Sequence, residues 1–347
     1  MSTSFDEFED RKKDHIRLAL DGSTQALVSS GFSRIKLIHQ ALPEINLSDV
    51  SLKTKLLGKE FASPHFVSSM TAGHENSLKI NMNLAKAADK NNWLMSVGSQ
   101  RRELVDANAA GEWKTILAAV PGLQLISNIG ILELLSSSIH EVLRLSENLN
   151  AVGFYIHLNP LQEVFQNNQN VNFSGALKAI ENFVKHCPVP VLVKEVGFGI
   201  NKELCRQLFE AGVRVVDVSG NGGTHWGQVE ALRQTPEHII FKSSDAFADW
   251  GQSSVDCLLG LQEQVLFHQV WASGGIRSGV DSAKCLALGA RAVGIAQPMM
   301  KAAVESTDAV DSVMQQFDFQ LRLAMFCMSV KKCEEFLHKK VWYGAIN

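Results

Sequence analysis

A short apolar run that ends in a polar or glycine-rich cluster recurs eight times along this chain, and successive runs are separated by stretches of helical periodicity. The runs lie at 65–70, 94–97, 124–128, 152–158, 189–196, 213–219, 270–272 and 292–296. Helical stretches occupy 78–91, 113–120, 133–148, 174–186, 202–211, 254–264 and 279–288, lengths that suit crossovers between parallel strands. This alternation predicts an α/β fold, and the count of eight predicts closure into a (β/α)8 TIM barrel. In a closed barrel every strand points its C-terminal end at one mouth, so the residues that follow the runs share a single surface.

Those residues are informative. The runs finish in Met70-Thr71-Ala72-Gly73-His74, Val97-Gly98-Ser99-Gln100-Arg101, Ser127-Asn128, His157-Leu158-Asn159, Lys194-Glu195-Val196-Gly197 and the stretch from Asp217 to Trp226. Taken singly, each reads as an ordinary strand-to-helix cap. Taken together, convergent hydroxyls, amides and one lysine mark a site. After the seventh run comes Ser273-Gly274-Gly275-Ile276-Arg277, and the eighth opens at Ala296-Gln297-Pro298. Glycines let backbone N–H groups approach an anion, and a helix N-terminus adds its positive end. The loops after strands seven and eight of a barrel are a common phosphate cradle.

At 347 residues and 46% hydrophobic content the chain can bury one large core. It reads as a single barrel domain with three parts: 1–63, which contains a hairpin or plug at 47–61; the barrel, 64–300; and terminal helices, 301–347. The connection from 220 to 251 is long for a βα loop and suits a lid. A net charge of −3 argues against a general nucleic-acid or anionic-membrane partner. The six cysteines have no CxxC spacing, which fits reduced thiols in a cytoplasmic protein. No run approaches the ~20 apolar residues of a membrane span, and the start of the chain carries no secretory pattern. Arg11, Lys12, Lys13, His15 and Arg17 cluster in 6–20, which on charge alone reads as a solvated helix face.

A barrel mouth with a lysine on strand five, amides and hydroxyls on earlier strands and a Gly-Gly cradle suits flavin mononucleotide. The lysine would meet the pyrimidine end of the ring, where reduced flavin is negative. Lys194 stands in an otherwise apolar run, so its alternative is a salt bridge with a neighbouring carboxylate.

Several motifs carry a closer resemblance: Arg11-Lys12-Lys13-Asp14-His15-Ile16, Met70-Thr71-Ala72-Gly73, Val97-Gly98-Ser99-Gln100-Arg101, His157-Leu158-Asn159-Pro160-Leu161-Gln162-Glu163, Val193-Lys194-Glu195-Val196-Gly197, and the stretches 217–226 and 274–281. From about residue 10 to 300 the chain resembles the type 2 isopentenyl-diphosphate isomerases. The basic N-terminal motif and the His-Leu-Asn-x-x-Gln-Glu segment are its most specific parts; the Gly-Gly signature is shared by other flavin barrels.

The resemblance implies interconversion of isopentenyl and dimethylallyl diphosphate in isoprenoid biosynthesis. It also implies Mg²⁺ on the diphosphate, NAD(P)H as reductant, and reduced FMN acting as acid and base through N5. Carried over, Ser69, Met70, Thr71, Ser99, Asn128, Lys194, Ser219 and Thr224 would contact the flavin and its ribityl chain. Gly274, Gly275, Ile276, Arg277, Ala296 and Gln297 would hold its phosphate. Arg11, Lys12, Ser99, Gln100, Arg101, His157, Asn159 and Gln162 would face the substrate, with Gln162 near the alkene and Glu163 at the metal. On this reading 1–63 becomes a substrate clamp, and a homo-oligomer is expected. The chain departs from the family pattern at Ala72 and His225, which puts loop geometry in question there.

Rival readings differ at identifiable positions. A flavin-dependent 2-hydroxy-acid oxidase needs a His and Arg before the cradle, where this chain has His268-Gln269-Val270-Trp271. A dehydrogenase of the IMP class needs a cysteine in a Gly-rich barrel loop. A non-catalytic flavin or phosphate binder has no use for Arg11-Lys12 together with Gln162-Glu163.

Overall fold

The structure, a computed structural model, describes residues 5–70, 77–167, 171–262 and 269–344; the side chains of 5–11, 107 and 167 lie outside that description. Eight parallel strands form one sheet: β1 (His65–Val67), β2 (Leu94–Ser96), β3 (Leu125–Gly130), β4 (Gly153–His157), β5 (Val191–Lys194), β6 (Val215–Asp217), β7 (Gln269–Trp271) and β8 (Val293–Ile295). Each pairs with its sequence neighbour, and β8 pairs with β1. The remaining seam, between β7 and β8, closes through the parallel Ala272–Val293 bridge, with Gly294 N–H donating to the Ala272 carbonyl at 2.7 Å. The sheet is therefore a barrel, as the eight-run pattern predicts.

Strands buried on both faces need apolar residues at almost every position, which explains runs such as Val191-Leu192-Val193. Outward side chains join the helices in one large core, while inward ones form a second cluster. That cluster takes one residue from each strand or its edge: Phe66, Leu94, Ile126, Tyr155, Leu192, Val215, Trp271 and Ala292. Leu56 and Phe61, from an antiparallel hairpin of Thr54–Leu56 with Lys59–Phe61, are packed with them.

Strand side chains alternate with period two. Two residues beyond the apolar tier, the inward positions are Ser68, Ser96, Asn128, His157, Lys194, Asp217, Ser273 and Gly294. The barrel interior thus changes from wholly apolar to polar within one step of the pleat. No purely structural core would bury so many polar groups at once, so this tier is the floor of a binding site.

Two expectations need correction. The helical stretch 133–148 is two helices, Ile131–Ser136 and Ile139–Leu149. Ser138 breaks it: its Oγ accepts from Glu141 N–H at 3.3 Å while the Glu141 carboxylate accepts from Ser138 N–H at 2.9 Å, a reciprocal cap that starts a new helix. The C-terminal part is also not wholly helical. After the helix Thr307–Cys327, Trp342–Gly344 pairs antiparallel with Ile35–Leu37. No helix among the described residues is long and apolar enough to cross a membrane.

Candidate active site

One cavity at the C-terminal mouth is lined from every barrel strand end, from the N-terminal helix Phe5–Leu20 and from the connection after β6. Its floor is the polar tier. Ser68 Oγ and Ser99 Oγ are buried without a hydrogen-bond partner among the described residues, and both residues line the cavity. Buried orphan hydroxyls are costly unless a ligand completes them. Ser69 Oγ lies 2.6 Å from Ser96 Oγ, and Asn128 donates to the Val97 carbonyl at 3.1 Å.

His157 Nδ1 lies 3.0 Å from Asn128 Oδ1. An amide oxygen only accepts, so Nδ1 carries the proton. Burial, and then the cations Lys194, Lys12 and Arg101, push the His157 pKa well below its ordinary value. A neutral ring results, with Nε2 as an acceptor, until an anion reverses the local field. Lys194 lines the same floor and donates to the Glu195 carbonyl at 2.7 Å. Burial lowers its pKa, while Asp217 and Glu195 oppose that shift. The Glu195 carboxylate accepts from the N–H groups of Val196, Gly197 and Phe198, yet burial dominates and holds its pKa up near 7.

At one end of the cavity, Gly274 and Gly275 have φ of 91° and 71°, a left-handed backbone that L-residues rarely adopt. Ser254 Oγ donates to the Ser273 carbonyl at 2.9 Å and the Gly274 carbonyl at 2.6 Å, fixing the turn. Ile276, Arg277 and, at the head of the helix Gln297–Glu305, Ala296 and Gln297 complete this end. Arg277 donates to Gln25 Oε1 at 2.8 Å, and Gln25 Nε2 reaches Thr224 Oγ1 at 3.4 Å. Ser219 lines the wall between the floor and the cradle, with φ of 42°.

At the other end lie Lys12, Arg101, His157, Asn159, Gln162 and Glu163. Asn159 Nδ2 donates to Gln162 Oε1 at 3.2 Å and to Glu163 Oε1 at 2.9 Å, so one amide sets both side chains of the helix Pro160–Asn167. Burial raises the Glu163 pKa, as do the carboxylates of Glu133 and Glu230, against Asn159 and Arg101. A carboxylate in that field gains from a cation. Among the described residues no group of three or more His, Cys, Asp or Glu could hold a metal ion.

Three residues of the sequence reading are not brought to the cavity in describable form. Thr71 lies outside the described residues, as does the Arg11 side chain, although its backbone belongs to the N-terminal helix. Gln100 is a correction. Its Nε2 donates to Glu103 Oε1 and the Leu145 carbonyl, and its Oε1 accepts from Ser127 Oγ and from Asn128 N–H. The amide is spent on joining the β2 and β3 ends to the helix Ile139–Leu149, away from the cavity. All the other expected residues line it.

Glu230, His15, Glu133 and Trp226 are additions. Glu230 sits on the helix Trp226–Ala231, fully buried. It accepts from Gln162 Nε2 at 3.0 Å and from Arg233 at 2.9 Å, and His15 Nε2 lies 2.9 Å from its Oε1. Burial would raise its pKa, but His15, Arg233 and Gln162 together hold it down at about 2. One carboxylate thus latches the N-terminal helix, the connection after β6 and Gln162 together. Glu133 pairs with Arg101 at 3.6 Å, and Trp226 meets the His15 ring edge-on. Replacing Glu230 by Ala should loosen the N-terminal helix, at about 3–5 kcal/mol for the latch. Limited proteolysis should then cleave before residue 25 much faster, and an unchanged cleavage rate would refute the latch.

The FMN-dependent dehydrogenase family model matches residues 17–121 and 143–343. An isopentenyl-diphosphate delta-isomerase of Bdellovibrio bacteriovorus is 42% identical over 345 residues, 98% of this chain and 99% of that protein. An isopentenyl-diphosphate delta-isomerase of Legionella pneumophila (strain Corby) is 40% identical over 342 residues, again 98% and 99%. Among solved structures, a lactate oxidase of Pediococcus acidilactici superposes with a TM-score of 0.68 at 16% identity, covering 100% of this chain and 96% of that one. That last likeness shows the barrel alone.

Proposed function

The chain belongs to the type 2 isopentenyl-diphosphate delta-isomerase family, within the FMN-dependent dehydrogenases, and on that premise we propose that one cavity binds two phosphorylated molecules at opposite ends. FMN takes the glycine cradle and the polar floor; isopentenyl or dimethylallyl diphosphate takes the end under Lys12. The observation that carries this reading is the separation itself. A left-handed glycine turn with a helix head, from the β7 and β8 ends, stands at one end, and a buried cation with a cation-seeking carboxylate, from the N-terminal helix and the helix after β4, stands at the other.

The fit of FMN rests on the orphan hydroxyls of Ser68 and Ser99, the interior Lys194 and the cradle. Reduced FMN would supply acid–base chemistry at N5 with no net redox change, NAD(P)H serving to keep it reduced. The chain's own residues do the rest. Lys12, Arg101 and His157 converge on the diphosphate, whose charge compensates the burial of Lys12. Glu163 would hold Mg²⁺, with phosphate oxygens and water completing the shell. Gln162, fixed by Asn159 and Glu230, presents its amide beside the alkene. Ile16, Ala19, Met70 and Met300 give the cavity apolar walls, so positive charge developing on the isoprenoid carbons meets little competing water.

The purified protein should be yellow. Given NAD(P)H or dithionite, Mg²⁺ and isopentenyl diphosphate without oxygen, it should form dimethylallyl diphosphate, and admitting oxygen should stop turnover. A yellow protein that yields no dimethylallyl product under those conditions would sink the reading.

A further inference from the structure

Asp217 is fully buried, lies in the polar tier and does not line the cavity. Its position is nonetheless specific. On the neighbouring strand β5 its register partner is Lys194, whose own partner on β4 is His157. The Asp217 carboxylate accepts from Ser273 Oγ at 2.8 and 3.1 Å, from Ser219 N–H at 3.2 Å and from Tyr155 OH at 3.4 Å. Three different strands or strand ends thus orient one carboxylate under the cavity floor. Burial raises the Asp217 pKa, and Lys194, the Ser273 hydroxyl, the Ser219 N–H and the Tyr155 hydroxyl work against that rise; the backbone N–H can only donate, and donors around both oxygens favour the ionised form.

We propose that Asp217 is a positioning residue of the flavin site, the buried counter-charge that keeps Lys194 cationic where it meets the cofactor. This rests on the reading that FMN occupies the cavity. A lysine in an otherwise apolar strand gives up its hydration, and its one hydrogen bond among the described residues goes to a carbonyl, which carries no full charge. Charges facing Lys194 from the packed elements are Asp217 on β6 and Glu195 on its own strand, with titratable His157 and Tyr155 on β4. His157 is held neutral, and the Tyr155 phenol is pushed well up by burial and by Asp217, so neither supplies a counter-charge. The Glu195 carboxylate gives one oxygen to three backbone N–H groups, and burial holds its pKa up near 7, so it is only partly charged at neutral pH. Asp217 is left as the anion aligned with Lys194.

The test is the midpoint potential of bound FMN as a function of pH. If Asp217 keeps Lys194 charged, the lysine break of the wild-type holoenzyme lies at higher pH than that of Asp217→Asn. In Asp217→Asn the buried lysine loses that neighbouring charge and its titration moves to a window at lower pH. Reduction, which adds negative charge nearby, then takes up one extra proton per two electrons across that window. Adding Lys194→Met removes the extra proton and so assigns it. Tyr155→Phe, which keeps the carboxylate, shows none. An Asp217→Asn holoenzyme whose lysine break lies where the wild-type break lies overturns the proposal. If Asp217→Asn does not fold or load, Ser273→Ala, which removes the closest donor to the carboxylate, makes the same comparison, and a lysine break unmoved from wild type overturns the proposal. A wild-type protein that binds no FMN fails the functional reading instead.

Discussion

Glu163→Gln should leave the protein yellow and lower Mg²⁺-dependent isomerisation by about 100-fold or more, roughly 2.7 kcal/mol of transition-state stabilisation. The substitution is nearly isosteric and keeps an oxygen for the 2.9 Å bond from Asn159, so the local fold should survive. What it removes is charge. Glu163 sits where burial and two further carboxylates raise its pKa, a field that a divalent cation relieves and a neutral amide no longer needs relieved. Flavin should stay bound because Glu163 stands on the helix that follows β4, whereas the cradle comes from the loops after β7 and β8. Activity measured against Mg²⁺ concentration is the check. A variant with wild-type Mg²⁺ dependence would show that the metal is held elsewhere, and a colourless variant would show that this end of the cavity belongs to the flavin.

The barrel was legible in the sequence because strand formation here is local. Eight apolar runs, each with its own polar end, announce the mouth, and the alternation of Leu192 with Lys194 or of Val215 with Asp217 follows from the pleat once strand direction is known. Less legible was anything decided by tertiary contact. Glu230 lies in a connection without clear periodicity, and its partner His15 is 215 positions away, so neither residue signals the other. Gln100 shows the converse. It stands beside Ser99 and Arg101, both of which line the cavity, but the turn rotates it towards Leu145 and Glu103. Sequence adjacency cannot separate neighbours that a helix start sends in opposite directions. The Asp217 network was hidden for the same reason: its donors come from β4, from the β6 end and from the β7 end, and the motif around Asp217 reads most simply as a glycine-rich loop.

Gly274→Ala should give the reciprocal phenotype, a folded protein with FMN affinity lowered by about 100-fold or more, which is recovered colourless. At φ of 91° an alanine is strained by about 1–2 kcal/mol before any contact is counted. The new methyl would overlap the Gly220 carbonyl oxygen and lie 2.7 Å from the Gly220 nitrogen, and these are backbone atoms that cannot swing aside. The loops after β6 and β7 must therefore separate, adding about 1–3 kcal/mol of misfit. Gly220 N–H donates to the Ser273 carbonyl at 3.1 Å and Ser254 Oγ holds both carbonyls of the turn, so the movement spreads through the whole cradle. The strain should fall on the site rather than on the fold, because Gly220 and Gly274 lie in the loops after β6 and β7, whereas the apolar tier at Phe66, Tyr155 and Trp271 lies on the strands beneath the polar floor. Far-UV circular dichroism and flavin stoichiometry after reconstitution, taken together, distinguish the cases. Normal circular dichroism with no flavin places the cofactor's phosphate in the Gly274–Gly275 turn; normal flavin content would place it elsewhere. With Glu163→Gln yellow but inactive and Gly274→Ala folded but colourless, the two phosphate-binding ends of the cavity separate by colour as well as by rate.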